Sequence, residues 1–320
     1  MPTKKSPRKG SLQYWPRKRA AKMLPSINWN AIESTGKLKG FICYKAGMKS
    51  AIVKDNTEHS MTKDKIKAIP VTILECPPIK ILSVRFYKDS KVAKEILVEN
   101  LDKELKRQIK MPKKSDDGKN TIQKIDGMTE GSYDDVRVIC YSIVKKTNVK
   151  TKPDLSEIGI DGKLEDKITF IKENLGKEIS VNDTFDDSQL VDLRGVTTGR
   201  GLCGPVKRFG ITLKSHKSEK GQRRPGSLGP WHPARVIFRV PMAGQLGMFT
   251  RAIYNNKIIK MGKSSDFELK NIKNYGDVKT DFLIVNGSIQ GPSKRQLVAT
   301  QPLRPTRKQS KKSFEFIDLK

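Results

Sequence analysis

The chain has 320 residues, 36% of them apolar, which allows one large domain or two small ones around a modest core. Lysine and arginine number 64 against 34 acidic residues, a net charge of +30. Self-repulsion of that size works against an isolated compact state and points to a polyanionic partner: nucleic acid first, an anionic membrane surface second. No apolar run approaches the ~18 residues that span a bilayer, and the first residues lack the roughly 7–15-residue apolar core of a secretory leader, so a membrane partner is set aside.

In chain order, Met1 to Lys22 carries eight basic residues and no acidic one. "GFICYKAGMKSAIVKD" predicts a strand, a turn at Lys45-Ala46-Gly47 and a second strand. "IPVTILE" and "IKILSVRFY" are β-branched runs separated by Pro77-Pro78. From Ser90 to Ile109, Val92, Ile96, Leu97, Leu101, Leu105 and Ile109 recur at helical spacing. Ser90 is the expected N-cap and Met111-Pro112 the stop. "DVRVICYSIV" reads as strand. Lys163 to Gly176 reads as helix, with Leu164, Ile168, Ile171 and Leu175 on one face. Pro153 to Leu190 is acidic, ten Asp/Glu against four Lys, and should face solvent or a basic protein. Arg194 to Arg235 then carries ten basic residues and only Glu219. "ARVIFRV", "KIIKMG", "DFLIVNGSI" and "QLVATQ" read as further strands, with "NGS" at Asn286 read as a turn rather than a glycosylation site. Lys294 to Ser313 adds seven basic residues and no acidic one. Many short strands with turn residues between them point to a barrel or sandwich.

The three basic segments hold net charges of +8, +9 and +7, and the other 236 residues share +6. The sequence therefore reads as a nearly ordinary globule with cationic appendages. Trp15, Trp29 and Trp231 lie in or beside those segments, and cations interleaved with aromatics suit phosphate contacts plus stacking on bases. From Lys207 to Val236 a hairpin of about 15 residues per arm would reach on the order of 50 Å. Its apolar pattern is too sparse for it to order alone.

Enzymatic constellations are missing. "GRGLCG", Gly199 to Gly204, matches G-x-G-x-x-G, but Pro205, Lys207, Arg208 and Gly210 follow, so no helix of useful length opens there. Its glycines are expected to let the backbone pass close to something bulky, such as a sugar–phosphate strand. His59, His216 and His232 are too isolated for a metal set, and Cys43, Cys76, Cys140 and Cys203 form no C-x-x-C pair and read as small buried hydrophobes. No catalytic residue, metal or cofactor is expected. The competing readings are an RNA-modifying or RNA-remodelling enzyme, which would need a cofactor pocket, and a chromatin-like DNA binder, which leaves the long internal loop unexplained.

"KLKGFICYKAGMKSAIV", "IPVTILECPP", "GVTTGRGLCGPVKRFG" and "GSLGPWHPARVIFRVPMAGQLGMFTRAIYNNKIIKMG" resemble the ribosomal protein L3 family of the large subunit. "SPRKGSLQYWPRKRA" is similar to its archaeal and eukaryotic form. The resemblance covers nearly the whole chain and is least clear from Asp89 to Gln189. It implies a mainly β fold with α/β additions: a translation-protein-type β-barrel at 37–87 and 189–320, a basic N-terminal extension at 1–36, and a helical, partly acidic insertion at 88–188. It also implies a central loop at 207–235 that ends in a tryptophan finger and runs toward the peptidyl-transferase centre, and a role in early subunit assembly. The implied partners are large-subunit ribosomal RNA and neighbouring ribosomal proteins, with one copy per cytoplasmic ribosome, no homo-oligomer and no membrane.

The candidate RNA-binding residues follow from the basic segments and the match. They are Arg8, Lys9, Trp15, Arg17, Lys18 and Arg19 in the extension, Arg194 and Arg200 before the loop, and Lys207 and Arg208 at its start. Lys214, His216, Lys217, Lys220, Arg223 and Arg224 lie in the loop, with Trp231, His232 and Arg235 at its tip and flank. Arg304, Arg307 and Lys308 follow near the C-terminal end. Eukaryotic members of the family can carry a methyl group on the histidine that matches His232. The chain departs from the family pattern at Leu202, Cys203, Phe209 and Ala252, which touches individual stacking or carboxylate contacts only.

Overall fold

The computed structural model describes residues 7–33, 38–99, 101–111, 121–128, 133–147, 149–265 and 267–320. In chain order the strands are β1 (Gly40–Asp55), β2 (Ile66–Cys76), β3 (Ile79–Lys88), β4 (Lys91–Leu97), β5 (Asp135–Ser142), β6 (Leu155–Gly159), β7 (Leu190–Val196), β8 (Leu202–Cys203), β9 (Gly244–Gln245), β10 (Thr250–Gly262), β11 (Asp281–Asn286), β12 (Gln296–Thr300) and β13 (Phe314–Leu319). The α-helices are short: α1 (Thr121–Asp126), α2 (Leu164–Asn174), α3 (Pro205–Phe209) and α4 (Arg307–Ser310). The fold is mainly β with α/β additions. The chain divides into a larger unit, Met23–Gly195 with Ala252–Lys320, and a smaller one, Met1–Lys22 with Val196–Arg251.

In the larger unit the principal sheet runs β12-β7-β10-β11-β2-β1-β13, and β1 also pairs with β12. That extra pairing closes six strands into a barrel, which removes the open edges a flat sheet would expose. The long β1 serves two partners on one side. Gly40 to Tyr44 pairs with β12 and Ala51 to Asp55 with β13. The expected turn at Lys45-Ala46-Gly47 is instead a β-bulge. Lys45 opposes Leu74 and Gly47 opposes Ile73, leaving Ala46 as the extra residue. A turn would require the two halves of the segment to pair with each other. Here both pair with β2, so the chain bends without reversing.

A second sheet, β4-β3-β5-β6, lies in the same unit. One hydrophobic cluster joins the two sheets, with Phe41, Tyr44 and Val298 from the barrel and Val84, Phe86, Val138 and Ile158 from the second sheet. Fully burying each such aliphatic or aromatic side chain contributes about 1.5–3 kcal/mol. The helix expected from Ser90 to Ile109 does not form. Asp89 (φ 50°) and Ser90 (φ 62°) make a two-residue hairpin turn, after which β4 pairs along β3 with Lys91 opposite Lys88. A short 3-10 turn at Lys103–Arg107 buries Leu105, and Pro112, the expected stop, lies outside the described residues. The apolar positions with apparent helical spacing thus belong to two separate elements. The second expected helix does form as α2. The Asp166 carboxylate accepts the Lys163 backbone N–H at 3.1 Å, Ile168 and Ile171 are buried, and Gly176 leaves the helix at φ +74°.

Trp29 is a core residue, 3% exposed, rather than a partner of the basic segments. Added Cβ atoms at Gly40 and Gly159 would sit 2.9 and 2.8 Å from its side chain. All four cysteines are buried free thiols, as expected of small hydrophobes. No helix among the described residues is long and apolar enough to cross a membrane.

Candidate nucleic-acid interface

The smaller unit is built on a narrow ribbon. Thr197 N–H donates to the Phe249 carbonyl at 2.9 Å, Arg200 N–H to Leu246 at 2.9 Å, and Leu246 N–H to Gly201 at 2.9 Å, with β8 pairing β9 beyond them. The glycine-rich run is therefore one arm of this ribbon, and its close approach is to the protein's own chain. Gly247 takes φ +75°, and a Cβ there would fall 2.0 Å from the Thr198 carbonyl oxygen. Gly204 precedes α3, whose five residues end at Gly210 (φ +65°). No dinucleotide cradle forms.

Past the ribbon the chain is irregular. Lys214 N–H reaches the Gln222 carbonyl at 3.1 Å, closing a local turn that holds His216, Lys217 and Lys220. The strand expected at "ARVIFRV" is absent. Its backbone–backbone bonds are local (Arg235 N–H to Pro233, Val240 N–H to Ile237), and Val236 and Phe238 are 50% and 64% exposed. A strand needs a ladder partner, and this segment has none among the described residues. Trp231 is 89% exposed, so it caps no core. Gly226 (φ +92°) and Gly229 (φ +151°) bend the chain just before it.

The sequence-predicted residues fall into two sets. Arg8, Lys18, Arg19, Arg200, Lys207, Lys214, His216, Lys217, Lys220, Arg223, Arg224, Trp231, His232 and Arg235 are exposed in this unit, and Arg304, Arg307 and Lys308 are exposed in the other. Lys9, Trp15, Arg17, Arg194 and Arg208 are half-buried. Arg194 lies in β7, its guanidinium on Thr300 Oγ1 and 3.7 Å from the Asp192 carboxylate. Arg208 donates to the carbonyls of Gln245 and Met242, both at 3.0 Å, and so ties α3 to the returning arm. Arg17 lies 4.3 Å from the Phe209 ring centre and 5.3 Å from that of Trp15. Burial, followed by repulsion from Arg208, Arg251 and Arg8, lowers the Arg17 pKa.

Sequence reasoning missed Tyr14, Phe249 and Arg251. Arg251 sits 4.3 Å from the Tyr14 ring and 5.3 Å from the Phe249 ring. The signal was the aromatic two positions before Arg251, outside the segment singled out for its charge. It also missed Lys257, buried in β10, which donates to the Ser310 carbonyl at 3.1 Å and steadies the end of α4 beneath the C-terminal cations.

Among the described residues, the smaller unit holds one carboxylate, Glu219, and Arg8, Arg17, Arg208 and Arg251 rest on ring faces or backbone carbonyls instead. A closed β-barrel in the larger unit and a cation-rich extension and loop in the smaller one define the class: a β-barrel protein with basic appendages. The sequence model described as Ribosomal protein L3 matches residues 1–320, and the chain belongs to that family. It is similar to large ribosomal subunit protein uL3 of Methanocaldococcus jannaschii, 39% identical over 311 residues that cover 93% of this chain and 92% of that protein. It is likewise similar to the protein of the same name in Methanococcus aeolicus (40% over 308 residues, 93% and 91%) and in Archaeoglobus fulgidus (38% over 311 residues, 93% and 92%).

Proposed function

We propose that the chain is a structural constituent of the large ribosomal subunit. It binds large-subunit ribosomal RNA, supports early subunit assembly and directs its central loop toward the peptidyl-transferase centre. The observation that carries this reading is the smaller unit: exposed Lys and Arg along both the extension and the loop, a single carboxylate, and an 89%-exposed Trp231 at the bend. Phosphates supply the counter-charge that the protein lacks. Exposed cations fix position on the RNA backbone, while Trp231 offers a ring face to a base. Neighbouring ribosomal proteins complete the surroundings. Sedimentation of cell extracts tests this: the protein should co-migrate with the large subunit at one copy per particle, and a free or substoichiometric pool would refute it.

A further inference from the structure

A cluster in the smaller unit remains that RNA contact does not account for. Trp15 lies between two rings from opposite ends of the loop. Phe209, where the chain departs, is 6.2 Å away and inclined by 25°, and Phe238, where it returns, is 5.3 Å away and edge-on. The Arg17 guanidinium covers two of these rings and donates to the Arg208 carbonyl at 3.2 Å. Arg8 donates to the Arg239 carbonyl at 2.7 Å, Trp15 Nε1 to the Ser11 carbonyl at 2.7 Å, and Ala20 N–H to the Met248 carbonyl at 2.7 Å. Gly10 takes φ +80° against the cluster, and a Cβ there would lie 2.6 Å from Phe209 Cδ1. Mutual repulsion among Arg8, Arg17, Arg208 and Arg251 favours separation, so the ring faces and carbonyls are what hold them together.

We propose that Trp15, Phe209 and Phe238 form a clamp by which the N-terminal extension fixes both ends of the central loop, so that the two basic appendages present their cations to RNA as one preorganised body. Trp15 and Arg17 are positioning residues in this arrangement. The inference rests on the RNA-binding reading above. Ordering two separate tails on RNA costs conformational entropy at the moment of binding, and the clamp removes part of that cost beforehand.

The test titrates the full-length protein against a large-subunit ribosomal RNA transcript over a range of salt, with amide exchange followed on the free protein. Trp15→Ala should weaken binding on the order of tenfold at every salt and speed exchange at residues 8–22 without changing exchange in β1 and β2. Trp15→Phe should restore both. Phe238→Ala should match Trp15→Ala, and the double variant should lose no more than either single one, because both break one clamp. Lys18→Ala with Arg19→Ala should instead flatten the salt dependence. Unchanged affinity or unchanged exchange in Trp15→Ala would overturn the clamp, as would additive losses in the double variant, which would mean that each ring touches RNA. If the wild-type protein shows no salt-dependent RNA binding, the RNA reading fails, while the exchange data still decide the clamp.

Discussion

Trp231 and Trp15 show how differently two tryptophans in basic surroundings can be used. Trp231 is almost fully exposed, flanked by Pro230 and Pro233, each of which fixes its own φ and restricts its predecessor. Trp231→Ala should leave the stability of the isolated protein unchanged within about 0.5 kcal/mol and still enter the subunit. It should alter transfer-RNA binding at the aminoacyl site, or the response to drugs that act there, because stacking on a base is worth roughly 1–3 kcal/mol. Unfolding of the isolated variant would make Trp231 structural. Gly247 provides the opposite case. With φ +75° and the Thr198 oxygen 2.0 Å from its missing Cβ, Gly247→Ala should force the ribbon arms apart. Exchange at the Arg200 and Leu246 amides should then rise at least tenfold, the equivalent of about 1.4 kcal/mol. Neither the ring contacts of Trp15 nor the closeness of Gly247 to the opposite arm was legible in sequence, because both partners are more than 45 positions away.

Among the elements, β1, β2, β3, β5, β10, β11 and β12 were legible as apolar, β-branched runs, and α2 as a periodic one with Leu164, Ile168, Ile171 and Leu175 on one face. The failures share one cause: local pattern does not say which partner a segment will find. The 90–109 pattern fits a helix, yet β3 offered an edge and Asp89-Ser90 could turn, so the first half became β4. "ARVIFRV" fits a strand and found no edge. The link between β1 and β2 yields a test of its own. The Asp55 carboxylate accepts from Thr57 N–H at 3.1 Å and the Thr62 hydroxyl at 2.6 Å, and pairs with Lys67. Burial alone would raise its pKa, but these hydrogen bonds outweigh burial and hold it well below 3.8. A lowered carboxyl pKa means stability that is present above the unfolded value and lost as pH falls below it. Glu75, which burial pushes up from 4.5, acts in the opposite sense: its contribution is present at low pH and fades as pH rises. Asp55→Asn should therefore cost about 2 kcal/mol at neutral pH and flatten the acid limb of a melting-temperature profile below pH 4. A parallel downward shift at every pH would show that the Asp55 charge is not what stabilises the link.

Over the whole molecule, the uneven distribution of charge was the most readable feature of the sequence. The barrel is held by apolar burial between paired strands, and the cations gather where there is little apolar surface to bury. In the free protein, amides of β1, β2 and β11 should exchange slowly and those of residues 211–235 quickly, with residues 8–22 between them because of their ring and carbonyl contacts. On the proposed reading, the same distribution sets how binding to RNA responds to salt. Each phosphate neutralised by a mobile cation releases counterions and steepens the dependence of log affinity on log salt by about 0.7 to 0.9. Arg223 and Arg224 are exposed and follow the turn closed by Lys214 and Gln222, so their guanidinium groups are free to meet the RNA backbone. Replacing both by Ala should lower the slope by about 1.4 to 1.8 without changing the melting temperature, since neither side chain enters a core cluster. An unchanged slope with full affinity would mean that the loop reaches RNA through its rings and backbone alone. Its concentration of charge would then serve to guide the approach of the chain to RNA rather than to hold it there.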